Sequence, residues 1–156
     1  MEKRITMTKE RDIDTLARTL YGEARGEDRQ GKMAVACVIL NRVKKRKMAG
    51  YRIIDGVKTP TIDATCLRPW QFSCWNKNDP NREKCLNVTP ADAKFVECYN
   101  IAMLAVDFLT GSRDDWDIVN GATHYYNPKA CAMPRWAVGK KPCAVVGHHL
   151  FFNNID

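Results

Sequence analysis

The sequence predicts a mainly α fold, α+β in class, with a minor irregular or β part. Three observations carry that expectation. Apolar residues recur at helical spacing in three long stretches, a proline- and aromatic-bearing interruption covers residues 50–86, and two segments near the C-terminus have the look of extended chain. At 156 residues the chain suits a single domain over 1–156, with a core that needs no metal or disulfide to be stable.

The first helix follows from Ile13, Leu16, Ala17, Leu20, Tyr21 and Ala24, which line one face, with Thr8 as the expected cap. It runs into Tyr21-Gly22-Glu23-Ala24-Arg25-Gly26-Glu27, where two carboxylates and a guanidinium are set between glycines. On a wheel of about 100° per residue, Glu27 falls among the apolar residues and Glu23 at their edge. Those angles hold only if the helix survives its glycines, each of which costs roughly 1 kcal/mol relative to Ala. A break there would free Glu23 to turn into a cleft. Acidic residues are unfavourable near a helix C-terminus, so the pair points to a purpose other than solvated charge. A carboxylate withdrawn from water has its pKa raised and can hold a proton for use as a general acid. Spacing leaves open which of the two does so.

A second helix is expected over residues 29–48, central in the core because residues 33–40 are almost continuously apolar. Its basic end, Arg42 to Lys47, reads as a solvated helix terminus, where cations suit the dipole. Residues 50–86, with Pro60, Pro69, Pro80, Trp70, Phe72 and Trp75, read as an irregular excursion with short strands at most, forming a cleft wall. A third helix has Thr89 as cap, Pro90 in its first turn and Gly111 as its close, and Phe95, Tyr99, Ala102, Met103, Val106 and Leu109 give it an apolar face. Residues 119–126 and 144–152 then read as extended or mixed, joined through a turn around Met133-Pro134-Arg135-Trp136.

The net charge of +7 implies attraction to a polyanion, whether nucleic acid, anionic lipid or wall polymer. No stretch is long and apolar enough to span a membrane. No secretory leader is evident, so synthesis in the cytoplasm is expected. Seven cysteines then argue against a full disulfide framework. Cys37 and Cys98 fit the core as small hydrophobes. Cys66, Cys74 and Cys85 crowd one region, where a bond such as Cys66–Cys74 could form in an oxidising environment, with the pairing left open by the sequence.

Three constellations could carry chemistry. The first is Glu23 or Glu27 with Gln71-Phe72-Ser73 and Tyr125-Tyr126-Asn127, extended by Trp70, Trp75 and Trp136. Aromatic faces stack on pyranose rings, and amide and phenol heads bond hydroxyl and acetamido groups. The second is a metal site from His124, His148, His149, Cys131 and Cys143. It lacks a paired ligand motif, and adjacent histidines on a strand point apart, so no metal or other cofactor is expected. The third, a Cys–His nucleophilic pair, has no local motif behind it.

The heptad at 21–27, with Gln30-Gly31-Lys32-Met33-Ala34-Val35-Ala36 and Val38-Ile39-Leu40-Asn41-Arg42-Val43, resembles the cell wall hydrolases of the spore-cortex-lytic type, the SleB/CwlJ group. Gln71-Phe72-Ser73, Tyr125-Tyr126-Asn127-Pro128 and the closing Gly147-His148-His149-Leu150-Phe151-Phe152 resemble its downstream motifs. The resemblance implies a lysozyme-like domain that cleaves peptidoglycan between N-acetylmuramic acid and N-acetylglucosamine. Members are typically lytic transglycosylases that leave 1,6-anhydro ends. It makes Glu23 the catalytic acid, with Glu27, held by Arg25 or Arg42, among the substrate-binding residues beside Gln71, Phe72, Ser73, Tyr125, Tyr126 and Asn127. The implied partners are the glycan strand and anionic wall polymers rather than nucleic acid, met by a monomer. Without a leader or wall-binding repeat, the protein resembles a phage endolysin that acts on the wall after release. The alternatives are a muramidase using water, a zinc amidase and a non-enzymatic basic binding module.

Overall fold

The computed structural model describes residues 2–111 and 115–156, with side chains from residue 8 onward. Three helices, α1 (Glu2–Ala24), α2 (Arg29–Lys45) and α5 (Ala93–Thr110), pack against one another and enclose the main core. Between them lie a hairpin of β1 (Gly50–Ile54) and β2 (Val57–Thr61), a short α3 (Ile62–Cys66), a 3-10 turn (Ser73–Trp75) and α4 (Pro80–Asn87). After α5 come β3 (His124–Tyr126), a 3-10 turn (Arg135–Ala137), β4 (Ala144–Val146) and β5 (His149–Phe152). The fold is mainly helical with two small antiparallel sheets, as the sequence predicts.

The expected α1 stripe is buried at Ile13, Leu16, Ala17, Leu20 and Ala24. Thr8 is not its cap, because the helix is already under way there. Helical geometry persists through Gly22 and Glu23 and ends at Ala24, so the expected break at Gly22 does not occur.

α2 is buried on nearly all sides, from Ala34 through Val43. Asp28 caps it by accepting from the Gly31 N–H at 2.9 Å. It stops at Lys45, short of residue 48, because Arg46 adopts a left-handed φ of 53° and the N–H groups of Arg46 and Lys47 turn back onto Val43 and Arg42 carbonyls. The basic end is not simply solvated. Arg42 is buried with its Nε donating to the Thr123 carbonyl at 2.7 Å, and the Lys45 and Lys47 ammonium groups donate to the carbonyls of Gly121 and Ile155. These cations fasten the C-terminal segments to the core.

The excursion after α2 is more regular than expected. Asp55 and Gly56, at φ of 51° and 80°, make the tight turn that pairs β1 with β2. Thr61 and Asp79 cap α3 and α4, and Pro80 opens the first turn of α4. On α5 the cap is Asp92, which accepts from the Lys94 N–H at 2.9 Å, while Thr89 serves the turn before it. Gly111 closes that helix as expected. Its buried face is Phe95, Cys98, Ile101, Ala102, Ala105 and Val106, whereas Met103 is exposed.

The C-terminal sheet runs in the order β3-β5-β4. Register pairs Tyr125 with Phe151 and Tyr126 with Leu150. Alternation therefore sends Tyr125, His149 and Phe151 to the face against the helices, and Tyr126 and Phe152 to the other, where they meet Trp136 and Ile155 in a second small cluster.

The central position of α2 gives a direct check. Ile39, fully buried there, should lose about 2–5 kcal/mol of stability on replacement by Ala, whereas Val57→Ala on the exposed hairpin should stay within about 0.5 kcal/mol, both read by urea denaturation.

Candidate active site

Gly22 decides the geometry around the carboxylates. A Cβ at that position would stand 2.5 Å from Cys74 Cβ, 2.5 Å from Cys85 Sγ and 2.8 Å from Cys74 Sγ. Only hydrogen fits, so the 3-10 turn and α4 lie directly on the last turn of α1. Arg18 secures the approach by donating from Nη1 to the carbonyls of Cys85 at 2.8 Å, Leu86 at 3.1 Å and Val88 at 3.1 Å. Arg25 reaches the same helix, with Nη2 on Asn81 Oδ1 at 2.9 Å and Nη1 on the Tyr21 carbonyl at 3.0 Å.

One residue beyond the glycine, Glu23 is half-buried, and its Oε1 lies 3.4 Å from the Cys74 N–H. Burial pushes its carboxyl pKa up from the ordinary 4.5, the main-chain N–H groups of Cys74 and Ser73 pull partly against that, and the charge of Asp79 adds to the rise. The phenol of Tyr125, from the facing strand, is close enough to feel the Glu23 charge. Burial first, and that charge second, hold its pKa well above 10.0, so it remains a protonated donor. Beneath them lies Arg42, its guanidinium 5.2 Å from the centre of the buried Phe72 ring, with Nη1 lacking a hydrogen-bond partner.

Glu27 has a different environment. Its side chain is 8% exposed, with Oε2 3.0 Å from His148 Nδ1 and Oε1 3.0 Å from His149 Nδ1. The first contact is a hydrogen bond, while the second is close but off the direction that a ring N–H needs. Gly147, at φ of 57°, makes room: a Cβ there would meet Glu27 Oε2 at 2.8 Å. Glu27 thus joins the α1–α2 connection to the β4–β5 turn. Its partners are the two histidines, not Arg25 or Arg42. The expectation that adjacent histidines point apart fails because His148 sits in the turn after Gly147, so strand alternation applies only from His149 onward.

The other sequence candidates divide. Ser73 and Phe72 lie at the Glu23 wall, Ser73 through its backbone and Phe72 as buried support for Arg42. Gln71 is half-buried in the turn just before them, its N–H on the Arg68 carbonyl at 3.2 Å. Tyr125 comes to the site, but Tyr126 is on the opposite strand face with Trp136, 5.9 Å between ring centres. Asn127 spends its side-chain oxygen on the Lys129 N–H at 2.9 Å, shaping the turn after β3. Trp75 is anchored to Thr19 Oγ1 at 2.9 Å against the core, whereas Trp70 is 82% exposed at a left-handed φ of 66°. The suggested metal set does not assemble. His124 bonds Thr123 Oγ1, Cys143 faces the Val119 carbonyl and Cys131 the Asn127 carbonyl. Among the described residues, no three His, Cys, Asp or Glu side chains converge as ligands.

What sequence reasoning did not find is the pair of main-chain donors at Ser73 and Cys74, which leave no side-chain signature. Nor did it find His148 and His149 as Glu27 partners, for which Gly147 before them was the available signal. The close approach at Gly22 gives a test by thermal and urea unfolding. Gly22→Ala should lose about 1–3 kcal/mol by overpacking and should displace the Cys74 N–H from Glu23, while Gly26→Ala, whose Cβ meets nothing within 4 Å, should stay near neutral.

Residues 26–152 match the family described as Cell Wall Hydrolase. Among curated relatives, the spore cortex-lytic enzyme of Bacillus subtilis (strain 168) is 29% identical over 140 residues, covering 90% of this chain and 37% of that protein. The spore cortex-lytic enzyme of Oceanobacillus iheyensis is 28% identical over 147 residues, covering 90% and 41%. The chain therefore spans well under half the length of these relatives. Among solved structures, the catalytic domain of the germination-specific lytic transglycosylase SleB from Bacillus anthracis superposes with a TM-score of 0.62 at 25% identity, over 90% of this chain and 93% of that one. The catalytic domain of the Bacillus cereus SleB protein gives 0.64 at 25% identity, over 91% and 89%. The α+β arrangement that sets Glu23 against the 3-10 turn is thus the lysozyme-like fold of those domains, and the chain belongs to the cell wall hydrolase family.

Proposed function

We propose that this chain cleaves the peptidoglycan glycan strand between N-acetylmuramic acid and N-acetylglucosamine, acting as a lytic transglycosylase with Glu23 as acid and then base. One observation carries the reading: of two neighbouring carboxylates, Glu23 is half-buried against the Ser73–Cys74 turn, where burial raises its pKa, while Glu27 faces two imidazoles. The first can hold a proton and deliver it, and the second is committed to structure.

In the first step the Glu23 carboxyl protonates the glycosidic oxygen as the anomeric C–O bond breaks. The substrate's own acetamido group stabilises the positive charge that develops at that carbon. The carboxylate left behind then takes the proton of the muramoyl 6-hydroxyl, whose oxygen closes onto the anomeric carbon to give a 1,6-anhydro end. Glu23 returns protonated, and no protein nucleophile is needed. Most glycosidases pair two carboxylates, one of them serving the water or the covalent bond. Engagement of Glu27 by His148 and His149 withholds that second group, which favours the internal hydroxyl over water. Tyr125, protonated and beside Glu23, is placed to donate to the sugar or to the carboxylate between the two proton transfers. The net charge of +7 suits a wall carrying anionic polymers, and we assign the chain to an endolysin-like role there, as a monomer.

Clearing of purified sacculi tests the acid. Glu23→Gln should reduce it by about 10²-fold or more, with Tm at neutral pH unchanged or raised, because a carboxylate ionised in a dry pocket is itself destabilising. Glu27→Gln should lower Tm together with activity. Activity of the native protein should be full while Glu23 is protonated and fall as pH rises through its elevated pKa, so the decline begins above the range of an ordinary carboxyl. Mass spectrometry of released muropeptides identifies the acceptor: anhydro ends are expected, reducing ends would mean water, and freed peptides would overturn glycosidase action. A chelator should leave clearing unchanged.

A further inference from the structure

Two thiols meet at the Gly22 notch, one of them, Cys74, in contact with Glu23. Cys74, in the 3-10 turn, and Cys85, in α4, are both buried and reduced in this structure. Both sulfurs lie within 2.8 Å of the point where a Gly22 Cβ would stand, and the thiols hydrogen-bond one another. The remaining cysteines have other surroundings. Cys37 faces the Trp116 carbonyl at 3.4 Å, Cys143 the Val119 carbonyl at 3.2 Å, and Cys131 the Asn127 carbonyl at 3.5 Å. Cys66 contacts Thr19, and Cys98 lies on the buried face of α5. Cys74 is thus set beside Cys85, whereas Cys66 is turned to Thr19.

We propose that Cys74 and Cys85 form a disulfide site, which on meeting a small-molecule disulfide of the glutathione type staples the Glu23-contacting turn to α4. The reaction is a thiol–disulfide exchange completed as the chain folds and brings the two sulfurs to the Gly22 notch. One cysteine thiolate displaces one thiolate from the small disulfide, RSSR, and forms a mixed disulfide. The other cysteine gives up its proton and attacks that cysteine's sulfur, releasing the second thiolate. The two protons pass to the departing thiolates, so two cysteine thiols and RSSR become one protein disulfide and two RSH. The protein loses two electrons and the small disulfide gains them.

The staple closes a short loop that contains Asp79, whose charge acts on Glu23, and Asn81, which holds Arg25. It would fix the Cys74 N–H against Glu23 once the protein leaves a reducing environment. The site goes beyond the glycosidase reading and stands whether or not Glu23 is the acid.

Both sulfurs are shielded in the folded protein, so the test starts from the reduced, unfolded chain, refolded in a mixture of oxidised and reduced glutathione and then alkylated. Trypsin cuts after Lys77, Arg82 and Lys84, which puts Cys85 on its own peptide, but it spares the Arg68–Pro69 bond, so Cys66 and Cys74 share the other peptide and fragment ions decide which of those two carries the bond. Mass spectrometry should find those peptides joined and lighter by two hydrogens, with the other five cysteines alkylated. The oxidised protein should melt roughly 5–10 °C above the reduced one. Cys85→Ser should abolish that difference. Alkylation of both Cys74 and Cys85, or a dominant bond from either to another cysteine such as Cys66, overturns the proposal, and this mapping needs no variant to fold.

Discussion

The rest of the site depends on the absence of a side chain at position 22. Because α1 carries only a hydrogen there, the 3-10 turn and α4 come close enough for a main-chain N–H to meet Glu23. Residues of α1 and the one just past its end reinforce the contact in three directions. Arg18 fastens the carbonyls at the end of α4, Arg25 grips Asn81 near its start, and the Tyr21 hydroxyl donates to Asp92 at the cap of α5 at 2.7 Å. Two turns of one helix thus set the positions of α4, α5 and the turn that faces Glu23.

The two carboxylates of the heptad show how four residues of separation can produce unlike chemistry. Glu23 is still helical and half-buried against the turn at Ser73 and Cys74, where burial raises its pKa more than the donors there lower it. Glu27 lies beyond the helix end, pressed between the first turn of α2 at Gly31 and the β4–β5 turn at Gly147. Lys32 adds to that junction by donating to the Glu27 carbonyl at 2.8 Å and pairing with Glu97 on α5 at 2.7 Å. Glu27 therefore organises the connection between helices and sheet, while Glu23 is left with capacity to exchange a proton.

Much of the architecture was legible because it rests on periodicity. The α1 stripe, the enclosed α2 and the Gly111 close of α5 follow directly from residue spacing. The errors came where local polar chemistry competes: Asp92 outdoes Thr89 as a cap, and the Asp55-Gly56 turn made a hairpin of what read as irregular chain. The wheel placed Glu27 deeper than Glu23, and Glu27 is indeed enclosed, yet the unbroken helix did not keep Glu23 from its pocket, because the pocket wall came to the helix. Tyr125 and Tyr126 stand together in the sequence and are separated by strand alternation. Contacts between distant segments, such as Cys74 with Cys85 or Glu27 with His148, have no periodic trace and required the fold.

The N–H groups of Ser73 and Cys74 that face Glu23 belong to the peptide backbone, and this bears on how such a domain can change over time. A side-chain donor is lost with one codon, but an N–H persists through every substitution except proline. At Ser73, whose side chain is exposed, the turn can therefore vary while still presenting its N–H, whereas Cys74 is buried against Gly22 and its thiol also reaches Glu23. What must stay fixed is the shape that brings the turn to α1, and this places the strongest demand on a residue with no functional group at all.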